Sequence, residues 1–430
     1  MSGSGHRYLE QLTDFGIKLG LDKIRFILSK LGDPHKKYQS ILIAGTNGKG
    51  SVACFISNCL KKAGYKVGLY TSPHLIRVEE RIKINGKDIP SKIFDHICTD
   101  VKNLCSKFSI EMQPTYFEAL TAVAFEYFRR EKIDICVCEV GMGGRFDATN
   151  VLKPILEVIM PVSFDHTEYL GNSIEEIASE KAGIIKQNSV VVSGKQLQGA
   201  LKVIRRVCKQ KNARTYFYGK DFSAKFVSSD FPYQQRLNFN GIENLKDVSI
   251  RLFGKHQVHN AAVAIESLLL LRKLGFNITD RAIIEGMGSS VWPARFQPVM
   301  ENPLVIIDGG HNPDGIKSLK KALKEYFSDS KFIFLVGILK DKKWEQMLKI
   351  IANLGERFIF TKPDNPRSVP PQMLASWMKE LSPEIPVEII EKPRDAFEKL
   401  IGINSKQPGI ICGSLYLAGE ILKILKSRKF

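Results

Sequence analysis

The segment that most restricts the fold runs from Ile41 to Ala63, ILIAGTNGKGSVACFISNCLKKA. Four apolar residues, Ile41 to Ala44, lead into a turn holding Gly45, Gly48 and Gly50, and a stretch of helical period follows from Ser51 to Ala63. An apolar strand feeding a glycine turn and then a helix opens a βα unit, whose strand is buried on both faces of a parallel sheet. The glycines leave backbone N–H groups free to turn toward an anion, the helix start adds its dipole, and Lys49 can reach terminal phosphates. The run Gly45-Thr46-Asn47-Gly48-Lys49-Gly50-Ser51 departs from the common G-x-x-x-x-G-K-[ST] pattern: its spacing is shorter and Gly50 separates the lysine from the serine. Strand, glycine loop, lysine and hydroxyl in this order still point to a phosphate-binding loop rather than to a turn with a solvent lysine.

The same alternation continues along the chain. Lys66 to Tyr70, Ile133 to Val140 and Leu156 to Val162 read as strands. Thr115-Tyr116-Phe117-Glu118 has the form of a capping box opening a helix to about Arg130, and Ser173-Ile174-Glu175-Glu176 a second one, opening a helix through Lys186. The middle, from Phe222 to Ile250, is polar with weak alternation and predicts a small antiparallel excursion. A helix from Val258 to Leu274 leads to SSVWPARFQPV, where Pro293 and Pro298 bracket a short extended segment that marks the domain boundary. Beyond it, strands near Leu304 to Ile307, Lys331 to Val336, Arg357 to Phe360, Val387 to Ile390 and Gly409 to Ile411 alternate with helical patterns. At 430 residues the chain exceeds what one core usually organises. The expected fold is α/β: an N-terminal P-loop-type domain over 1–294 with a mostly parallel sheet, and a smaller C-terminal doubly wound, Rossmann-like domain over 295–430.

Charge and cysteine use narrow the function classes. A formal net charge of +18 invites a polyanion, yet the lysines are dispersed, with no aromatic-interleaved basic run, so no nucleic-acid partner is expected. No apolar run approaches the ~20 residues that span a bilayer, and the polar start from Met1 to Arg7 has no apolar region behind it. Cys54, Cys59, Cys98, Cys105, Cys136, Cys138, Cys208 and Cys412 form no C-x-x-C pair, which fits a reducing cytoplasm better than structural zinc. A soluble, cytoplasmic monomer without membrane contact is the expectation.

Ligands of open α/β sheets bind beyond the carboxyl ends of the strands, so what each strand delivers there matters most. The strand after the phosphate loop ends in Thr71-Ser72-Pro73-His74, a hydroxyl at the rim. Ile133 to Val140 brings Glu139, followed by Gly141-Met142-Gly143-Gly144, Arg145 and Asp147. A carboxylate near the end of an apolar strand is poorly explained by packing; an edge-strand salt bridge is the competing account. The next strand ends in Ser163-Phe164-Asp165-His166, where a lone histidine is as often a plain loop residue. Ser72, Glu139 and His166 together beside a triphosphate make a Mg²⁺ site, since magnesium takes few protein ligands and fills its shell with phosphate oxygens and water.

The segments GTNGKGS, YTSPHL, EVGMGGRFDATN, FDHTEYLG, SEKAGIIK, FGKHQVHNAA, WPARFQP and DGGHNPDG, in this order, resemble the motifs of the bacterial dihydrofolate synthase/folylpolyglutamate synthase family, a branch of the ATP-dependent Mur-type amide ligases. The likeness covers nearly the whole chain, and the shortened phosphate loop is the one this superfamily uses. The resemblance implies a ligase that activates a substrate carboxylate with ATP as an acyl phosphate and then joins it to the amine of L-glutamate. Its acceptors would be dihydropteroate, giving dihydrofolate, and reduced folates, giving polyglutamates. It further implies that Asn47, Gly48, Lys49 and Gly50 bind ATP with Ser51 flanking them. Asn260, Arg295 and Asp308 would add nucleotide contacts, the last two at or beyond the boundary, so that the nucleotide lies between domains. Ser72, Glu139 and His166 match magnesium ligands, and Lys181 matches a carbamylated lysine. Thr115, Phe117, Glu118, Phe146, Asp147 and Ala148 match positions lining a pterin pocket, although for Thr115 and Glu118 a pure capping box remains open. His311-Asn312-Pro313 resembles a motif near the reacting phosphate, which makes His311 a catalytic candidate with Lys49, Lys181 and His166; a helix-entry turn explains Asn-Pro equally well. The rivals are a Mur-type ligase acting on a nucleotide-linked peptidoglycan precursor and a non-catalytic nucleotide-binding regulator.

Overall fold

The computed structural model describes residues 4–12, 20–403 and 406–428. Eight strands form the first sheet: β1 (Gln39–Ala44), β2 (Val67–Tyr70), β3 (Ile82–Ile84), β4 (Lys87–Asp88), β5 (Ile135–Glu139), β6 (Leu156–Ile159), β7 (Val190–Ser193) and β8 (Arg214–Phe217), in the order β4-β3-β2-β5-β1-β6-β7-β8. From β2 to β8 every neighbouring pair is parallel, and β3 and β4 add an antiparallel margin. β5, β6 and β7 are buried at every position, as strands covered by helices on both faces must be. The chain leaves β1 for β2 on one side and later takes up β6 on the other, so the carboxyl ends of β5, β1 and β6 bound the crevice where the strand order reverses.

A three-stranded sheet of β9 (Ser223–Asp230), β10 (Gln234–Asn240) and β11 (Asn244–Ile250) has the order β11-β10-β9 and is the antiparallel excursion expected in the middle of the chain. The last six strands are β12 (Gln297–Glu301), β13 (Leu304–Ile307), β14 (Phe332–Val336), β15 (Gly355–Phe360), β16 (Val387–Ile389) and β17 (Gly409–Cys412). They form a sheet in the order β12-β13-β17-β14-β15-β16, parallel except for β12.

By contact the chain divides into two compact units. The first takes the chain up to Val227 with Arg236–Ser249 and Val258–Ser290; the second takes Ser228–Gln235, Ile250–Gln257 and the chain from Val291 onward. The two short excursions differ from a boundary placed at one point in the sequence, and their side chains give the reason. Phe231 lies 5.0 Å, ring centre to ring centre, from both Phe253 and Tyr326, and Phe296 lies tilted against Tyr326 at 5.5 Å. The Tyr326 hydroxyl donates to Gln235 Oε1 and accepts the Gly254 N–H. Aromatic area of this kind is buried with the core it fits.

Three local expectations need correction. Residues 293–296 are not extended: Ala294 and Phe296 take positive φ values of 57° and 45°, and β12 begins only at Gln297. The phosphate-loop helix, Lys49–Lys62, starts two residues earlier than expected because Gly48, at φ 87°, caps it. The helix after the second capping box, Ile174–Ala182, stops at Gly183 and does not reach Lys186, whose backbone N–H turns instead to the Glu157 carboxylate at 3.1 Å.

Candidate active site

The phosphate loop is held by its neighbours as much as by its glycines. Gly45 takes φ 140°, and a Cβ there would lie 2.6 Å from the Cβ of Met160. A Cβ on Gly48 would lie 2.8 Å from Asn260 Oδ1, so the expected nucleotide contact Asn260 stands directly against the loop. Thr46 laces the loop to the end of β6: its N–H donates to Pro161 O, its hydroxyl to Ser163 O, and its Oγ1 accepts the Ser163 N–H at 3.0 Å. Asn47 reaches Ser163 Oγ at 3.5 Å, while Gly50 and Ser51 are buried in the first turn of the helix. First-turn N–H groups have no intrahelical partner, which makes this end an anion seat.

Two lysines converge on one acceptor. Lys49 Nζ donates to Gly45 O at 3.1 Å and to Thr46 O at 3.2 Å, and Lys181 Nζ donates to the same Gly45 O at 3.0 Å. Lys181 is buried, and burial, reinforced by the neighbouring Lys49 charge, brings its ammonium down to about 7. Glu139, at the end of the central strand β5, is 5% exposed; its Oε1 lies 3.8 Å from Lys49 Nζ and its Oε2 accepts the Ser72 N–H at 3.2 Å. The strand order removes the edge-strand account of this carboxylate, since β5 lies between β2 and β1. Ser72, Glu139, Lys49, Gly45 and Lys181 are thus joined by direct contacts. His166 sits on the same rim segment at φ 52°, its side chain 41% exposed and its Nε2 3.9 Å from Asp165 Oδ1. Among the described residues no group of three or more His, Cys, Asp or Glu side chains is placed to hold a metal, so any cation here relies on few protein ligands.

The expected pterin positions divide. Thr115 caps the helix Tyr116–Arg130, and its N–H and hydroxyl both donate to Glu118 Oε2, at 2.8 and 2.9 Å. These two buried side chains form the capping box. Phe117 stacks on Tyr70 at 6.0 Å and fills the space a Cβ on Gly141 would take. Asp147 is buried, and burial raises its carboxyl although Oδ1 accepts from the Thr149 N–H and hydroxyl and Oδ2 from the Met142 N–H. Its contacts hold the loop's own shape. Phe146 is 43% exposed and Ala148 is buried.

In the second unit, Asp308 follows β13. Its Oδ2 accepts the Phe296 N–H at 2.9 Å and its Oδ1 the Gly310 N–H at 2.8 Å, which pins the 294–297 turn to the strand end. Burial raises the Asp308 carboxyl against the opposing charge of Arg295. His311 Nδ1 lies 3.1 Å from Gly309 O, and Asn312 caps the helix Pro313–Phe327 by accepting the Gly315 N–H.

Two residues absent from the expected set belong to the site, one by contact and one by its charge. Thr46 joins the loop to the β6 end, and Asp165 places a carboxylate charge near Lys181. The signal for Asp165 was present, a carboxylate after an apolar strand as for Glu139.

Models of the Mur ligase middle domain and of the Mur ligase glutamate ligase domain match residues 43–268 and 294–414. Over 421 residues the chain is 36% identical to the Bacillus subtilis protein named dihydrofolate synthase/folylpolyglutamate synthase, covering 96% of each. Mycobacterium tuberculosis folylpolyglutamate synthase, solved with ADP and AMPPCP, superposes with a TM-score of 0.91 at 30% identity over 99% of both chains. Escherichia coli FolC in complex with DHPP and ADP gives 0.88 at 26% identity, covering 99% of this chain and 98% of the other. With its middle-domain match alone taking in more than half of the residues and its full-length likeness to these relatives, the chain belongs to the dihydrofolate synthase/folylpolyglutamate synthase branch of the Mur ligase family.

Proposed function

We propose that this protein is an ATP-dependent amide ligase that joins L-glutamate to dihydropteroate, giving dihydrofolate, and to reduced folates, extending their glutamyl tail. The acceptor's carboxylate oxygen attacks the γ-phosphorus of ATP, the bond to the bridging oxygen breaks, and ADP leaves. The glutamate amine then adds to the acyl carbon, loses a proton and displaces inorganic phosphate, leaving the amide. Both steps bring anions together, which demands fixed positive charge at the phosphates.

The observation that carries this reading is the pair Lys49 and Lys181 on the Gly45 carbonyl, beside the buried Glu139. Lys49 is assigned to the β- and γ-phosphates, with the Asn47–Ser51 turn cradling them through its N–H groups. Asn260 is assigned to the nucleotide, as are Arg295 and Asp308 in the second unit, where His311 stands next to the glycine turn after β13. Glu139, Ser72 and His166 would hold Mg²⁺, and a buried carboxylate against a hydroxyl residue at a phosphate rim suits a hard cation with few protein ligands. When bound, the ion would neutralise charge on the phosphate oxygens. Lys181, buried and lowered toward neutral pH, is suited to take up CO₂ as a carbamate, releasing a proton and becoming an oxygen donor. The name of the Bacillus subtilis relative and the DHPP complex of the Escherichia coli relative support both acceptor classes. The eight cysteines, all free and buried thiols, agree with a cytoplasmic setting.

The test is phosphate release by purified protein with ATP, Mg²⁺ and L-glutamate, assayed with dihydropteroate and with tetrahydrofolate separately. Release with both acceptors, and dependent on glutamate, is expected. Release with tetrahydrofolate alone would leave a folylpolyglutamate synthase; release with neither would overturn the folate reading.

A further inference from the structure

Asn150 has no part in the chemistry assigned above, yet its side chain is the joint of three segments. It is buried, its Nδ2 donates to Arg145 O at 2.9 Å and Gly183 O at 3.2 Å, and its Oδ1 accepts from Lys186 Nζ at 2.5 Å. Lys186 Nζ also donates to Asn150 O at 3.0 Å. Gly183 is the C-cap of the helix Ile174–Ala182, so Asn150 satisfies one of the helix-end carbonyls that no intrahelical N–H reaches. Lys181 sits on that last turn.

The loop and the helix end meet backbone to backbone. Arg145 N–H donates to Glu180 O at 2.8 Å. A Cβ on Gly144 would lie 2.8 Å from Glu180 O and 3.0 Å from Lys181 O, and one on Gly183 would lie 2.5 Å from Arg145 Cβ. The glycines permit this contact, and Asn150 fastens it from the far side. The Arg145–Glu180 ion pair on the outside is half exposed on the arginine side and adds little.

We infer that Asn150 is a positioning residue for Lys181: by tying Gly183, Arg145 and Lys186 together it fixes the helix turn that presents the Lys181 amine to the Gly45 carbonyl. A catalytic group works only within about 0.5 Å of its productive place, and displacement by ~1 Å can cost about 100-fold in rate. Without the Asn150 amide, the Gly183 carbonyl and the Lys186 ammonium both lose a buried partner, and the last turn is free to fray. The phosphate-loop glycines and Lys49 are untouched, so nucleotide affinity stays.

This rests on the reading that Lys181 serves the ligase reaction, and the experiment separates the two. Asn150→Ala, Asn150→Asp and Lys181→Ala are compared with the wild type for kcat, KM for ATP and thermal melting. Asn150→Asp keeps the shape and the acceptor for Lys186 but deletes both donors, and it carries the test if the alanine variant does not fold. The expected result is a folded Asn150→Asp whose kcat is about 10-fold lower while KM for ATP stays within two-fold. A folded Asn150→Asp with kcat within two-fold of wild type, or with its whole effect in KM, overturns the positioning role while an inactive Lys181→Ala keeps the ligase role of Lys181. A fully active Lys181→Ala overturns both.

Discussion

Glu139 shows how a single side chain can be assigned by its surroundings. A carboxylate 5% exposed at the end of a central strand, its Oε2 accepting the Ser72 N–H and its Oε1 3.8 Å from Lys49 Nζ, suits the metal role proposed for it at the phosphate rim. On the proposed magnesium role, Glu139→Gln is expected to lower kcat by about 100-fold or more with KM for ATP changed by only a few-fold, because the ion would act where charge develops in the transition state while the loop and Lys49, as proposed, would still hold the triphosphate. Steady-state kinetics at saturating Mg²⁺ decide it; near wild-type turnover would remove Glu139 from the metal site. Glu157 is a different case. Fully buried on β6, it accepts the Lys186 N–H, and burial raises its carboxyl to about 7 from an ordinary 4.5. The folded chain therefore binds a proton that the unfolded chain releases between about pH 4.5 and 7, so this group's contribution is complete below 4.5 and is lost as pH rises to 7. Glu157→Gln should flatten the decline in melting temperature across that window. An unchanged slope would mean that the carboxyl titrates normally.

At the scale of elements, the loop from Gly141 to Asn150 is the instructive one. Asp147 was expected to meet the pterin, but its oxygens accept three donors of the loop itself. Asp147→Ala leaves the Met142 and Thr149 N–H groups without their acceptor and is expected to destabilise the protein by about 2–4 kcal/mol, with activity falling alike for dihydropteroate and tetrahydrofolate. Urea unfolding together with the two acceptor assays checks this; loss confined to dihydropteroate in a stable variant would return Asp147 to the pterin. What the sequence disclosed and what it hid follow the same division between local and distant. Both capping boxes, at Thr115 and Ser173, were legible because all their partners lie within four residues. β1, β5 and β6 were legible from their mostly apolar runs, and Glu139 from closing one of them. The turn at Ala294 and Phe296 was not, because its shape is set by Asp308, twelve residues beyond Phe296, which accepts the Phe296 N–H. The partner of Lys181, Gly45, lies 136 positions away, and no periodicity encodes such a contact.

For the whole molecule, the consequential fact is that the second unit draws on residues 228–235 and 250–257 as well as the chain from Val291. Phe253, 3% exposed, packs on Phe231 and Tyr326, so Phe253→Ala is expected to cost about 3 kcal/mol, read from denaturant unfolding. A loss below about 1 kcal/mol would show that the aromatic cluster is peripheral to the unit's stability. Strand β17 has a consequence of another kind, for synthesis on the ribosome. It occupies the middle of its sheet, between β13 and β14, yet it is translated about a hundred residues after β13. At ~5–20 residues per second, β13 waits for its central neighbour for roughly 5–20 s, with an apolar strand edge open to the wrong partner. A message cut short before codon 409 would therefore yield not a slightly trimmed protein but two disconnected half-sheets, β12–β13 and β14–β16, which makes the newborn chain a natural client for chaperones until its final strand arrives.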